Sequence, residues 1–162
     1  LVRFGYSPAP DAGDYEDIVR RVRLADRLGL DIVGIQDHPY QRRFVDTMSL
    51  IADLAARTEQ IAFFPDVVCL PLRPPAMLAK AAATIDLTSG GRFELGLGAG
   101  AFWDAIEGCG GPVRTPPEAL ATTRPCQIST MTSVPRAPVA PTCRRCGPPT
   151  RPPRRRVPPC PP

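Results

Sequence analysis

His38 is the only histidine in these 162 residues, and it follows Asp37 in the run QDHPY, Gln36 to Tyr40. A histidine can donate to or accept from a bound ring near neutral pH, and a carboxylate beside it can orient the imidazole. A surface-loop histidine next to a turn-capping acid fits the same two residues. GLGAG, Gly96 to Gly100, is a second candidate. Glycines let the backbone approach a phosphate or a flat ring closely, with amides free to donate. As a dinucleotide fingerprint the run is incomplete, because the last glycine of G-x-G-x-x-G is replaced by Ala101. A tight turn before AFWDAI explains the glycines too, and Phe102 and Trp103 in that run read as core residues of a short helix. Cys69 has no neighbour in sequence that would lower its pKa, which favours a buried structural thiol over a nucleophile. Cys143 and Cys146 form a C-x-x-C, but Cys126 and Cys160 supply no second pair at ligand spacing, so neither zinc nor redox function is expected.

These residues share a position: each group falls just after an apolar, strand-like run. LVRFGYS ends at Ser7, DIVGIQ runs into Asp37 and His38, QIAFFPDVVCL ends at Cys69 and Leu70, and RFELGLG runs into Gly98 and Gly100. Helical patterns separate the strands. Asp14 is expected to cap the first helix, with Glu16 and Asp17 in its first turn, where the helix dipole favours acids. Ile18, Val22, Ala25 and Leu28 recur at helical spacing, and Gly29 stands where a C-terminal glycine belongs. Asp46 caps a second helix with Met48, Ile51, Ala52 and Ala55 on one face. Pro75 opens a third, carrying Leu78, Ala82 and Ile85. Pro65 interrupts the third strand. Four strand–helix units with strands apolar on both faces predict a parallel sheet covered by helices, either an open doubly wound sheet or the first half of an eight-fold barrel. In both, the strand C-termini form the ligand-binding edge.

Composition divides the chain near residue 120. Residues 1–118 hold twelve Lys and Arg against sixteen Asp and Glu, a net −4, while residues 119–162 hold eight Arg and no acid. Twelve of the 22 prolines and four of the six cysteines also lie in this second part. Residues 1–120 therefore read as one domain, and residues 121–162 as a disordered basic tail. One lysine against nineteen arginines indicates GC-rich coding. Alanine codons read one base out of register become arginine and proline codons, which predicts a change of frame near Leu120 to Thr123. The rival expectation is a genuine basic arm for nucleic acid or another anionic partner, or a polyproline ligand. No apolar run is long enough for a membrane span, no secretory signal is visible, and Cys69 with Cys109 makes no disulfide framework. A cytosolic setting is expected, with the natural start of the chain upstream of Leu1.

LADRLGLDIVGIQDHPY, TIDLTSGGRFELGLGAG and AFWDAI resemble the luciferase-like monooxygenase superfamily over about residues 1–120. The resemblance implies a (β/α)8 barrel and a flavin- or deazaflavin-dependent oxidoreductase. Its cofactor would be FMN or the deazaflavin coenzyme (F-420), its substrate a small organic molecule, and its chemistry hydride transfer at N5 or oxygenation. By the same resemblance, Asp37 and His38 would sit at the reactive face of the ring, and this pair leans toward the deazaflavin. A non-prolyl cis peptide would fall at Cys69–Leu70, against the back of the ring. Gly98 and Gly100 would approach the cofactor, and Asp104 would stand in for an acid found just after the glycine block, where this chain has Ala101. A barrel needs about 250 residues, so a chain that leaves the pattern after four units is expected to be inactive alone, unless two half-barrels pair as a homodimer.

Overall fold

The computed structural model describes residues 2–123. Three strands, β1 (Gly5–Tyr6), β2 (Ile32–Ile35) and β3 (Ala62–Pro65), lie side by side in that order and all run parallel. Gly5 pairs with Ile32, and Ile32 with Ala62. Two further short strands, β4 (Val68–Cys69) and β5 (Leu97–Gly98), form a second parallel pair. A parallel bridge between Phe63 and Phe93 links the fourth strand segment to β3. Each strand segment thus neighbours the one before it in the chain. A doubly wound sheet reverses its strand order partway. Among the described residues this one does not.

The helices follow the periodicity with local departures. α1 (Tyr15–Arg27) buries Ile18, Val22 and Ala25, but Leu28 is 69% exposed. The helix ends at Arg27, Leu28 is its C-cap, and the chain turns at Gly29, φ +78°. Asp14 makes no side-chain cap. Asp11 instead accepts from the Gly13 amide and starts a 3-10 turn, Ala12–Asp14, that runs into α1. α2 (Thr47–Ala56) is capped as expected, the Asp46 carboxylate accepting from the Ser49 amide at 2.8 Å. Its buried face holds Met48, Ile51 and Ala55 together with Leu50 and Leu54, while Ala52 points to solvent. α3 (Pro75–Thr88) opens on its proline and buries Leu78, Ala82 and Ile85. α4 (Trp103–Gly108) and α5 (Pro116–Thr123) complete the described part.

The third and fourth strands are shorter than their apolar runs suggest. β3 stops at Pro65, the chain passes through a cis peptide at Asp66–Val67, and pairing resumes only at Val68. The cis bond therefore lies three residues before Cys69–Leu70, where it was expected. Cys69 stays paired with Gly98, and Leu70 opens a 3-10 turn, Leu70–Leu72. Of RFELGLG, only Leu97 and Gly98 form a ladder, with Phe93 contributing the bridge.

The core lies between the sheet and the helices. Val22, Val33, Ile35, Ile51, Leu54, Ile61 and Phe63 are essentially sealed from water. Two polar side chains stitch the bottom of this layer. Buried Asp26, at the end of α1, accepts from the amides of Glu59, Gln60 and Ile61 ahead of β3. Arg92 donates to the carbonyls of Ala55, Thr58, Ile61 and Ser89, tying the end of α2 to the turn after α3. No helix among the described residues is long and apolar enough to cross a membrane. The tail expected over 121–162 begins inside α5, which runs on to Thr123, and from residue 124 it lies outside the described residues.

Candidate functional site

The strand C-termini carry three loops to one edge, and a cleft of about 290 Å³ lies between them. The loop after β2 contributes Asp37, His38 and Tyr40. The segment through the cis peptide contributes Asp66 to Cys69, and the loop after β5 contributes Gly98 to Phe102. Of the residues singled out in the sequence, Asp37, His38, Cys69, Gly98 and Gly100 meet here. Leu70 does not; it lines a neighbouring cavity with Pro71, Arg73 and Arg114. Asp104 lies on another depression beside Trp103.

Asp37 and His38 are neighbours in sequence but not partners. Asp37 is 3% exposed and turns inward. It accepts from the Cys69 amide at 2.9 Å and from two nitrogens of Arg73, at 2.8 and 2.5 Å. Arg73 also reaches Asp46 at 2.7 Å, so one guanidinium joins the β2 loop to the N-cap of α2. Such a fork matches carboxylate geometry as an ammonium cannot. The hydrogen bond to Asp37 outweighs burial and raises the pKa of Arg73 above its ordinary value. Burial pushes the Asp46 carboxyl up, but the Ser49 amide and Arg73 outweigh it and hold it below the usual range. Asp37 thus makes no hydrogen bond to His38 among the described residues; its partners are Arg73 and the Cys69 amide.

The imidazole has a different partner. His38 Nδ1 lies 2.6 Å from the Tyr40 hydroxyl. The edge of Phe102 meets the His38 ring at 5.9 Å between centroids and 78° between planes, and Tyr40 lies 5.8 Å from Phe102. Phe44 lies 6.3 Å from the His38 ring, tilted by 47°. Phe102 is 59% exposed, so it walls the cleft and does not fill the core as its sequence context suggested.

On the other side, the glycines are required by close packing of the chain on itself. A Cβ on Gly98 would stand 2.5 Å from Val67 Cγ2 and 3.0 Å from the Val68 carbonyl oxygen. Gly100 has φ +100°, and a Cβ there would meet Pro71 and Trp103 at 2.9 Å. Burial first, then the Asp37 carboxylate, raises the Cys69 thiol, which fits a structural cysteine and not a nucleophile. Cys69 and Cys109 are both free, and the described residues contain no group of three His, Cys, Asp or Glu able to hold a metal ion. Arg73, Val67 and the outward role of Phe102 were not visible in sequence; a proline-flanked arginine gives no local sign of a carboxylate 36 residues away.

Comparison with known proteins bears on what this edge serves. The chain is 40% identical over 99 residues to the 5,10-methylenetetrahydromethanopterin reductase of Archaeoglobus fulgidus, a match covering 61% of this chain and 29% of the reductase. The solved coenzyme F420 dependent tetrahydromethanopterin reductase from Methanopyrus kandleri superposes with a TM-score of 0.59 and 28% identity, covering 68% of this chain and 30% of that one. The oxygenating constituent of 3,6-diketocamphane monooxygenase from Pseudomonas putida, solved in complex with FMN, shares the fold at a TM-score of 0.65 and 24% identity, over 76% of this chain and 38% of that one. The chain thus spans less than half the length of each of these proteins. The profile of the luciferase-like monooxygenases matches residues 2–124, nearly the whole of the strand–helix part, and the chain belongs to that family.

Proposed function

We propose that residues 2–123 are the ring-facing, N-terminal half of a (β/α)8 oxidoreductase, and that the cleft between the three loops receives the tricyclic ring of FMN or of the deazaflavin coenzyme (F-420). The observation that carries this reading is the meeting of His38, Tyr40 and Phe102 with Val67, Val68 and Gly98 around one cleft at the strand C-termini. The lining fits a flat ring: aromatic edges on one wall, apolar valines on another, and glycine backbone between. At about 290 Å³ the cleft is at the low end of the roughly 300–1,000 Å³ typical of ligand pockets. It suits a ring and a small organic substrate, not a whole phosphate-bearing cofactor. The methylenetetrahydromethanopterin reductase of Archaeoglobus fulgidus and the coenzyme F420 dependent reductase of Methanopyrus kandleri favour the deazaflavin.

When bound, such a ring supplies the hydride chemistry at its N5 position. This chain's residues do the rest. Val67, exposed where Val68 is sealed, would present an apolar surface to the ring, Phe102 and Tyr40 would exclude water, and His38 would offer a ring nitrogen to the substrate. Asp37 holds no ligand; it fixes the loop by clamping Arg73 and the Cys69 amide.

The same proposal places turnover in a closed barrel of eight units. The composition change after Leu120 is read as a loss of frame, so that the 162-residue chain in its reduced, cytosolic setting retains ring affinity but not activity; pairing of two copies is the arrangement that would restore a closed wall. Titration of the purified chain with FMN and with F-420, followed by absorbance and by fluorescence, tests it. The expected result is saturable binding of one ring, weakened by Phe102→Ala, without turnover. Absence of any perturbation by either ring would remove the reading.

A further inference from the structure

His38 Nδ1 and the Tyr40 hydroxyl are 2.6 Å apart. At that distance the two groups are hydrogen-bonded, and the tautomer of the imidazole sets which of them donates. The phenol is also kept protonated, because burial first, and then Cys69 and Asp37, push its pKa up. The adjacent acid offers no competition, since the Asp37 oxygens are taken by Arg73 and the Cys69 amide. The usual arrangement, in which a carboxylate accepts from Nδ1–H and leaves Nε2 as a base, is not available here.

We infer that Tyr40 is a positioning residue that donates to Nδ1 and so holds His38 as the Nε2–H tautomer, making the imidazole a hydrogen-bond donor toward the cleft. Among the described residues Nε2 makes no hydrogen bond, and no buried side-chain nitrogen or oxygen lacks a partner, so this edge is open to a ligand. The ligand it selects carries an acceptor there, a carbonyl, carboxylate or amide oxygen. A hydroxyl that must lose a proton to Nε2 is disfavoured, because Nε2 already carries one. This deepens the proposed use of the cleft by naming the chemistry of its substrate, but the tautomer stands on the geometry of two side chains alone.

The single histidine makes the test direct. The full chain, ¹⁵N-labelled, is examined by imidazole ¹⁵N–¹H correlation spectra at about pH 8, where an ordinary imidazole is neutral. The expected spectrum has an unprotonated Nδ1 and a protonated Nε2. In Tyr40→Phe the tautomer is no longer held, so the two nitrogens should converge toward the averaged values of a free imidazole, Nδ1 moving upfield and Nε2 downfield. A protonated Nδ1 in the unaltered chain would overturn the inference without any variant. An Nδ1 resonance unchanged in a folded Tyr40→Phe chain would overturn it equally. If the tautomer is as inferred and neither FMN nor F-420 binds, the cofactor reading fails while the Tyr40–His38 relationship stands.

Discussion

Asp37 and Arg73 lie 36 residues apart in sequence and form a two-point ion pair in which the carboxylate side chain is 1% exposed. Arg73 spends its remaining reach on Asp46, the cap of α2. One cation thus fixes the loop after β2, the segment after β4 and the start of α2 relative to one another. His38 and Tyr40 project from the loop so fixed. The acid that stands beside the histidine in sequence acts as its foundation, not as its hydrogen-bond partner.

Arg73→Met should cost about 3 kcal/mol or more, because it leaves a buried carboxylate with the Cys69 amide as its one remaining recorded partner, and breaking a buried pair typically costs ~3–5 kcal/mol. Urea unfolding at neutral pH would measure it. Arg73→Lys should recover only part, since an ammonium cannot span both Asp37 oxygens and Asp46. The double variant Arg73→Met with Asp37→Leu should be less destabilised than Arg73→Met alone.

Local signals carried most of the helices and little of the site. Pro75 and Asp46 are legible because a helix start is written in one or two residues, and Ile18, Val22 and Ala25 because a buried face repeats every turn. Asp14 misleads, since Asp11 three residues earlier caps a 3-10 turn at the Gly13 amide, and that turn runs straight into α1 with Asp14 inside it. Leu28 misleads because the pattern continues one step past the helix it implies. In the apolar run from Ile61 to Leu70, Pro65 and Asp66 mark where β3 ends, but nothing there signals the cis peptide that follows. Long-range partners such as Arg73 for Asp37, or the Asp26 carboxylate for three amides some 34 residues on, leave no trace in local spacing.

Asp26→Asn should destabilise by about 1–3 kcal/mol, because one amide oxygen cannot replace two carboxylate oxygens that accept from three buried or half-buried backbone amides. The pH dependence follows from the same contacts. Burial alone would raise the Asp26 pKa, but the amides of Glu59, Ile61 and Gln60 outweigh it and hold it below 3.8. A depressed folded value stabilises above the unfolded value and is lost as pH falls through the folded one. The gap between the unaltered chain and Asp26→Asn should therefore be constant near neutrality and shrink below about pH 3.8. A gap that widens in acid would show the wrong sign.

Gly100→Ala should be more disruptive than a surface substitution, because two costs coincide. The backbone at φ +100° is one that side chains rarely adopt, and the new Cβ would press on Pro71 and on the Trp103 ring at 2.9 Å. Strain of this kind costs on the order of 1–3 kcal/mol. Gly108, with no neighbour within 4 Å of its added Cβ and in the last turn of α4, is the control. Gly108→Ala should be neutral or mildly stabilising in the same thermal melts.

Phe102→Ala separates the cleft from the fold. The side chain is 59% exposed, so its removal takes little apolar area out of the core and should change stability by less than about 1 kcal/mol. With His38 and Tyr40 it forms one wall of the cleft, and an aromatic contact between it and a bound ring would be worth roughly 0.5–1.5 kcal/mol. Affinity for whichever ring binds should therefore fall by a factor between about two and ten, measured by titration on a chain whose urea midpoint is nearly unchanged. Phe102→Tyr, which keeps the ring, should retain the affinity. If Phe102→Ala leaves ring affinity intact, the bound ring does not lie against this wall. If it unfolds the chain, Phe102 is held by the core more tightly than its exposure indicates.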